Sequence, residues 1–122
     1  MIAGFGGTQR LPRLVGKGMA LELLLSGKII KAEEALRIKL VNKIVDKNIL
    51  LNECYELANK IKGNSPIAIK YTIDAVNEGE SKEMKIALDV ESNLFFKTFC
   101  TSDCKEGLKA FLNKTKPKFS DR

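Results

Sequence analysis

A chain of 122 residues, 44% hydrophobic and 30% charged, is typical of one soluble globular domain and excludes a disordered polypeptide. Its 21 lysines and arginines against 15 acidic residues give a net charge of +6, and the lack of histidine excludes Ser/His and Cys/His catalytic devices. No apolar run approaches the ~20 residues of a membrane span, and the amino terminus lacks secretory-signal features, so we expect a cytoplasmic protein that does not bind membranes.

The chain opens on a cluster of glycines. Gly4, Gly6 and Gly7 lie within four residues, and Thr8 and Gln9 follow at an expected helix start, where unpaired backbone N–H groups attract negative charge. The pattern suits either a plain turn or a cradle for a carbonyl oxygen or a polarised water. A dinucleotide motif is excluded because its third glycine would fall on Gln9, and no G-K-[ST] sequence of a P-loop follows.

The first third of the chain predicts three short helices and one strand. Residues 7–15 form the first helix, with Pro12 tolerated in its opening turn. Residues 17–25 form the second, whose apolar side chains go nearly all round and therefore predict burial on most sides. Residues 32–40 form the third, which is weakly capped. The alternating residues 41–45 predict a strand, and because no second strand follows, part of its sheet should lie elsewhere.

The remaining sequence predicts four more helices. Amphipathic helices are expected over residues 46–61, 66–79 and 82–99, followed by a last helix and a basic, proline-broken tail over 114–119. The expected helix caps are Ser65, Ser81 and either Ser102 or Asp103.

The carboxyl end of the longest predicted helix is aromatic. Phe95, Phe96 and Phe99 make it broader than packing against one neighbour requires, so we interpret it as an interface. Glu91 lies in the same apolar stripe, and we expect it to pair with a lysine at an interface. Five other glutamates are interpreted as solvated helix faces: Glu22, Glu33, Glu34, Glu53 and Glu56.

The three cysteines predict thiols rather than a disulfide framework or a metal centre. An odd, low count fits a reducing compartment. Cys100 and Cys104 could share a helix face, but a metal site would need two further soft ligands, and the chain has no histidine. We therefore expect no metal.

The basic charge raises nucleic acid as a partner. The lysines alternate with glutamates along helical faces, and there is no run of five basic residues and no aromatic RNA-binding motif. We therefore expect a solvated lysine-rich surface and no nucleic-acid partner. A narrower alternative is that a few lysines meet the phosphates of an acidic cofactor.

The residues of three long stretches are more informative about family than the spacing of the glycines. GFGGTQRLPRLVGKGMALELLLSGKIIKAEEALRIKLVNKIV resembles the segment that follows the second catalytic glutamate in the crotonase (enoyl-CoA hydratase/isomerase) family. The resemblance continues through SPIAIKYTIDAVNEG and DCKEGLKAFLNKTKPKF, and covers about the carboxyl-terminal half of such an enzyme.

The resemblance implies a fold and a division of the chain. The chain should be mainly α, as the carboxyl-terminal helical part of the α/β ClpP/crotonase-like spiral. Residues 1–45 would end the crotonase core, and residues 46–122 would form a helical trimerisation region.

The resemblance also implies an activity. The parent enzyme would be a lyase of fatty-acid metabolism, an enoyl-CoA hydratase or, in reverse, a 3-hydroxyacyl-CoA (3-hydroxybutyryl-CoA) dehydratase for short-chain thioesters, working as a trimer or a dimer of trimers. No cofactor is implied, since coenzyme A is part of the substrate. In crotonases two backbone N–H groups hold the thioester oxygen and two glutamates handle water and the α-proton. Those segments precede the glycine motif, so we expect the chain alone to be inactive.

Three positions are implied as site residues. Gly4 matches a glycine whose backbone N–H contacts the catalytic water. Phe95 and Lys114 match positions that reach from one subunit to the coenzyme A bound by its neighbour, Phe95 at the adenine and Lys114 at a phosphate. The alternative from another class of protein is a non-catalytic helical oligomerisation module.

Overall fold

The computed structural model describes residues 2–120, and this part of the chain contains seven α-helices and one 3₁₀ helix. The chain divides into two compact units, Met1–Leu50 and Leu51–Arg122, which are described separately. The α-helices, in chain order, are α1 (Gly7–Val15), α2 (Lys17–Ser26), α3 (Ala32–Arg37), α4 (Leu50–Lys62), α5 (Pro66–Gly79), α6 (Met84–Phe99) and α7 (Ser102–Asn113).

In the first unit α1 packs against α2, and a single glycine separates them. Gly16 has φ 82° and ψ 154°, a backbone region that is essentially restricted to glycine. Helix α2 ends at Gly27, which is left-handed and donates its N–H to the carbonyl of Leu23, as expected for a glycine stop.

Two details of this unit differ from the sequence prediction. Pro12 lies inside α1 rather than in its opening turn, and the short helix tolerates it. Helix α2 is far less buried than its apolar sequence predicts: Ala20 is buried, whereas Leu21 and Leu25 are 44% and 82% exposed. Among the described residues of this unit, no neighbouring element covers Leu21 and Leu25.

The strand predicted over residues 41–45 is wrong. In the structure these residues are bends and coil, and a 3₁₀ helix, Lys47–Ile49, follows. The chain instead turns back on α3: Lys39 has φ 61°, and the Leu40 N–H donates to the Ala35 carbonyl at 2.8 Å. An extended segment becomes a strand only when another strand accepts its hydrogen bonds, and the described residues supply none.

In the second unit α5 packs against α6, and α6 packs against α7. Ser65 caps α5 as predicted, with its hydroxyl accepting the Ala68 N–H at 3.3 Å. The other two predicted caps are wrong. The residue at the start of α6 is Glu83 rather than Ser81, and it makes no side-chain cap.

Helix α7 is capped by a residue that the sequence analysis passed over. The hydroxyl of Thr101 accepts the Cys104 N–H at 3.1 Å. The cap therefore lies one residue before Ser102, the earlier of the two candidates, and Asp103 is instead buried in the first turn of the helix.

The helices bury little apolar surface within the chain. The buried apolar residues among those described are Ala20, Ile38 and Ala110, and the chain exposes 10503 Å². Two separate globules of ~50 and ~72 residues would together expose only about 7,900 Å². Even the predicted apolar stripe of α4 is exposed, with Leu57 at 60% and Ile61 at 46%.

Within residues 2–120, no helix is both long enough and apolar enough to cross a bilayer.

Candidate functional site

The glycine turn that opens the first unit is an ordered, left-handed bend. Phe5 and Gly6 have φ angles of 52° and 79°, and the Gly4 carbonyl accepts the Gly7 N–H at 2.9 Å. The guanidinium group of Arg10 donates to the Phe5 carbonyl, which pins the bend to the first turns of α1. The turn is therefore stabilised by hydrogen bonds to two of its own carbonyl groups, those of Gly4 and Phe5.

Gly4 lies in open space within this bend. No heavy atom lies within 4 Å of the position that a Cβ would occupy on Gly4, and the residue is exposed. Its neighbour Phe5 is fully exposed. Nothing in the described residues therefore requires glycine at position 4 for packing, and its backbone is open to the approach of a ligand or another polypeptide.

The second unit contains an open groove of about 620 Å³. Helices α5, α6 and α7 form most of its wall, and the side chains are mainly apolar or hydroxyl-bearing. The residues that line it include Ala68, Tyr71, Val76, Glu91, Phe95, Leu108 and Phe119. An apolar concavity with a few polar groups is the usual form of a binding site.

Phe95 contributes to this groove from α6. It is 60% exposed, and its ring lies edge-on to that of Phe99 with centroids 5.1 Å apart and an angle of 80° between the rings. The carbonyl of Phe95 accepts the hydroxyl of Thr98, one helical turn along. The ring of Phe95 therefore contacts Phe99, and much of the rest of its surface is open to a partner.

Lys114 ends α7 in a left-handed conformation, with φ 52° and ψ 39°. Its own N–H and that of Thr115 donate to the carbonyls of Phe111 and Ala110, at 3.3 and 2.9 Å, which closes the helix end. Lys114 is exposed and does not line the groove. The reversal at Lys114 directs the following residues back along the helix.

Residues 114–120, which we call the carboxyl-terminal strap, run back along α7. The Lys118 N–H donates to Oε1 of Glu106 at 2.9 Å, and the Ser120 N–H donates to Oδ1 of Asp103 at 2.7 Å. Two carboxylates of α7 thus accept backbone hydrogen bonds from the strap. The basic tail predicted from sequence is therefore an ordered part of the second unit.

The strap places Phe119 in the wall of the groove, against Gly107 in the middle of α7. The sequence analysis missed both residues. A glycine inside a helical pattern is a recognised signal of close approach by another group, and that signal could have directed attention to Gly107.

The sequence-predicted site residues fall in different units. Gly4 belongs to the first unit, and Phe95 and Lys114 belong to the second. Within the second unit, Phe95 lies in the groove wall whereas Lys114 lies at the carboxyl end of α7. The functional roles of all three stay predictions.

Two surface ion pairs perturb titrating groups. In α3 a two-pronged hydrogen bond from Arg37 lowers the pKa of Glu34, with N–O distances of 2.6 and 2.7 Å. In α5 a hydrogen bond from Lys70 to Asp74 raises the pKa of Lys70, whose Nζ also lies 5.6 Å from the centre of the Tyr71 ring. Both pairs join successive turns of one helix, so they support those helices rather than a site.

The remaining sequence candidates do not assemble into a metal centre. Among residues 2–120 no group of three or more His, Cys, Asp or Glu side chains is arranged to hold a metal ion. Cys54 and Cys100 are exposed, Cys104 is half-buried, and all three are free thiols.

The full chain, residues 1–122, matches the family model described as enoyl-CoA hydratase/isomerase. Together with the helical architecture and the glycine turn ahead of α1, this match defines the class of protein. The chain belongs to the enoyl-CoA hydratase/isomerase family.

Curated relatives agree with this assignment. The chain is 50% identical over 113 residues to the short-chain-enoyl-CoA hydratase of Clostridium acetobutylicum, covering 93% of this chain and 43% of the relative. It is 47% identical over 116 residues to the crotonyl-CoA hydratase of Syntrophomonas wolfei, covering 95% of this chain and 45% of the relative. The chain thus spans less than half the length of these two relatives.

Solved structures share the fold as well as the sequence. The enoyl-CoA hydratase of Bacillus anthracis is 39% identical and superposes with a TM-score of 0.95, covering 98% of this chain and 46% of that one. An enoyl-CoA hydratase of Geobacillus kaustophilus is 35% identical with a TM-score of 0.94 over similar shares. These likenesses confirm the predicted fold, a mainly helical part of the crotonase architecture.

Proposed function

We infer that this chain is the carboxyl-terminal part of an enoyl-CoA hydratase that acts on short-chain acyl-CoA thioesters. The 50% identity to a protein named short-chain-enoyl-CoA hydratase carries the proposal, and a relative named crotonyl-CoA hydratase supports it. The reaction adds water across the double bond of an enoyl-CoA, and its reverse dehydrates a 3-hydroxyacyl-CoA such as 3-hydroxybutyryl-CoA. Such an enzyme would work in the cytoplasm and in fatty-acid metabolism.

In this reaction the backbone N–H of Gly4 would donate a hydrogen bond to the catalytic water. Its carbonyl is used inside the turn, at 2.9 Å from the Gly7 nitrogen, while the space around its Cα is open. A backbone N–H in such a position can donate to a water or to a developing oxyanion without a side chain in the way. This geometry supports a role in holding the catalytic water.

Phe95 and Lys114 would bind the coenzyme A part of a substrate that is held by a neighbouring subunit. Phe95 offers an apolar ring face with 60% of the side chain exposed, suited to stacking on adenine. Lys114 is an exposed ammonium group at a fixed point of the backbone, suited to a phosphate. These roles require a homo-oligomer, which we propose as a trimer or a dimer of trimers in the intact enzyme.

The chain alone should not catalyse hydration. Proton transfer and water attack need a positioned acid and base, which the family takes from two glutamates. The chain has no histidine that could take either role. The acidic side chains that the structure describes lie on helices and loops that follow the turn.

The activity proposal is tested with crotonyl-CoA. The chain alone should give no hydration of crotonyl-CoA above background, whereas the chain joined to the preceding part of the Clostridium acetobutylicum relative should hydrate it. Phe95→Ala and Lys114→Ala in that joined protein should raise KM for crotonyl-CoA and leave KM for crotonyl-pantetheine unchanged. Hydration by the unaided chain, or equal effects on both substrates, would overturn the proposed roles.

A second candidate function is a non-catalytic helical oligomerisation module. The exposed aromatic end of α6 favours it, with Phe96 at 71% and Phe99 at 52% exposed. Light scattering after size exclusion tests this candidate: a trimer formed by the chain alone supports the module, and a monomer removes it.

A further inference from the structure

Lys114 has a backbone state that is unusual for a lysine. With φ 52° and ψ 39° it is left-handed, a region that glycine visits routinely and other L-residues seldom adopt. Lysine is a good helix former and would ordinarily continue α7 at this position. The left-handed state therefore needs support from contacts made elsewhere in the chain.

The carboxyl-terminal strap supplies three such contacts with α7. The N–H of Lys118 donates to Oε1 of Glu106 at 2.9 Å. The N–H of Ser120 donates to Oδ1 of Asp103 at 2.7 Å, and Asp103 is only 2% exposed. Between these two hydrogen bonds, Phe119 lies half-buried against the middle of the helix. Both acceptors are carboxylates, whose hydrogen bonds are roughly twice as strong as those between neutral groups.

The segment from Lys114 to Lys118 has almost no slack. Glu106 lies eight positions before Lys114, so α7 carries the chain ~12 Å between them. Four residue steps lead back from Lys114 to Lys118, and a fully extended chain covers at most ~13–14 Å in four steps. If the helix ran one residue further, three steps of at most ~10–11 Å would have to cover ~13.5 Å. The hydrogen bond to Glu106 therefore requires the reversal to occur at Lys114.

The second hydrogen bond constrains the reversal less. Asp103 lies eleven positions before Lys114, which is ~16.5 Å of helix, and the six steps from Lys114 to Ser120 can cover ~20–22 Å. Glu106 is thus the residue of the two on which the conformation of Lys114 depends. Pro117 contributes as well, because its fixed φ and its effect on the preceding residue keep the strap extended.

We propose that the strap positions Lys114 for a phosphate of coenzyme A, and that Glu106 is the positioning residue. The inference rests on the proposed function for the role of Lys114. While the strap is attached, the Lys114 side chain leaves the backbone from a fixed point and in a fixed direction. Release of the strap allows residue 114 to join the helix, which sends the ammonium group in another direction. A fixed backbone reduces the conformational entropy that the lysine loses on meeting a phosphate.

The charge of Glu106 makes positioning distinguishable from simple electrostatics. Glu106→Ala removes a negative charge from a protein that would bind an anionic group. Electrostatics alone would then strengthen phosphate binding and lower KM for crotonyl-CoA. Loss of positioning would raise that KM. The two explanations predict changes of opposite sign.

The test measures kinetics of the chain joined to the preceding part of the Clostridium acetobutylicum relative. We expect Glu106→Ala to raise KM for crotonyl-CoA about fivefold, since the net contribution of one hydrogen bond corresponds to ~2–12-fold in an equilibrium constant. The kcat, and KM for crotonyl-pantetheine, which has no phosphate, should change less than twofold. Glu106→Gln keeps an oxygen acceptor without the charge and should restore KM to within twofold of the unsubstituted protein. A lowered KM in Glu106→Ala, or equal rises in both variants, would overturn the proposal.

Two further variants show whether Glu106 acts through Lys114. Glu83→Ala makes the same change of charge at an exposed residue whose side chain caps no helix, and it should leave KM within twofold. In a Lys114→Ala background, Glu106→Ala should have no further effect on KM, because the residue that it positions is gone. A full additional rise in that background would place the action of Glu106 elsewhere and overturn the proposal.

NMR of the 122-residue chain tests the backbone independently of activity. A positive φ at Lys114 is identified by its HN–Hα coupling and by a strong HN–Hα Overhauser effect within the residue. We expect Glu106→Ala to move Lys114 to helical values and to speed amide exchange at Lys118, and Glu106→Gln to do neither. A left-handed Lys114 in Glu106→Ala would overturn the proposal even in an active enzyme. If the unsubstituted joined protein fails to hydrate crotonyl-CoA, the proposed function fails, and these backbone measurements alone decide the action of the strap.

Discussion

Phe119 contacts the middle of α7 at Gly107, where a Cβ would lie 3.5 Å from its ring atom Cε1 and 3.8 Å from Cζ. Both distances are ordinary contacts between carbon atoms. The strap and the helix are therefore close enough to limit the size of residue 107, yet they leave room for one methyl group.

Gly107→Ala should stabilise the chain. Alanine is favoured over glycine inside a helix by ~0.8–1.0 kcal/mol, and the added methyl group fits against Phe119. We expect an increase of about 0.5–1 kcal/mol in the free energy of unfolding, measured by urea denaturation. Gly107→Leu is the control, because its larger side chain should displace Phe119 and lower stability; a stabilising Gly107→Leu would contradict the contact.

Gly16→Ala should destabilise the first unit, although no atom obstructs a Cβ there. With φ 82° and ψ 154° the residue occupies a region that alanine avoids, at a cost of ~1–3 kcal/mol. Gly4→Ala is the matched control: its Cβ would also meet open space and its φ is not left-handed, so we expect a change within about 0.5 kcal/mol. Thermal melts of both variants check the difference, and equal melting temperatures would refute the backbone argument.

Thr101→Ala should weaken the start of α7. Its hydroxyl accepts the Cys104 N–H, and loss of such a cap costs about 0.5–2 kcal/mol. Ser81→Ala should change the free energy of unfolding by less than about 0.5 kcal/mol, because Ser81 is exposed and caps no helix in the structure. The reverse order of the two effects would favour the sequence-based cap over the observed one.

The Glu34 carboxyl should titrate below the ordinary glutamate pKa of about 4.3, because Arg37 hydrogen-bonds its charged form. A lowered folded-state pKa means that the pair's contribution to α3 is present above the unfolded pKa and is lost as pH falls through the folded one. Carboxyl NMR titration measures the midpoint, and Arg37→Gln should return it upward. An unchanged midpoint in Arg37→Gln would show that the pair does not form.

Sequence alone determined the features that depend on neighbouring residues along the chain. The Ser65 cap, the Gly27 stop and the bounds of α5 follow from local hydrogen bonds and backbone preferences, and the structure confirms them. The family was also evident from sequence, because the stretch from Gly4 to Val45 resembles the family, and the family model matches the full chain.

Tertiary structure decided what depends on residues far apart in sequence. The predicted strand at residues 41–45 is absent from the described chain because no second strand pairs with it, and large apolar side chains of α2 and α4, such as Leu25 and Leu57, remain exposed because no described element packs over them. The path of the strap could not be predicted from a lysine-rich sequence. It depends on hydrogen bonds from Lys118 to Glu106 and from Ser120 to Asp103, which are 12 and 17 positions apart in sequence. Local sequence patterns determine where a helix forms. Burial of an apolar face and pairing of a strand each require a second surface, and only the folded chain shows which surfaces have one.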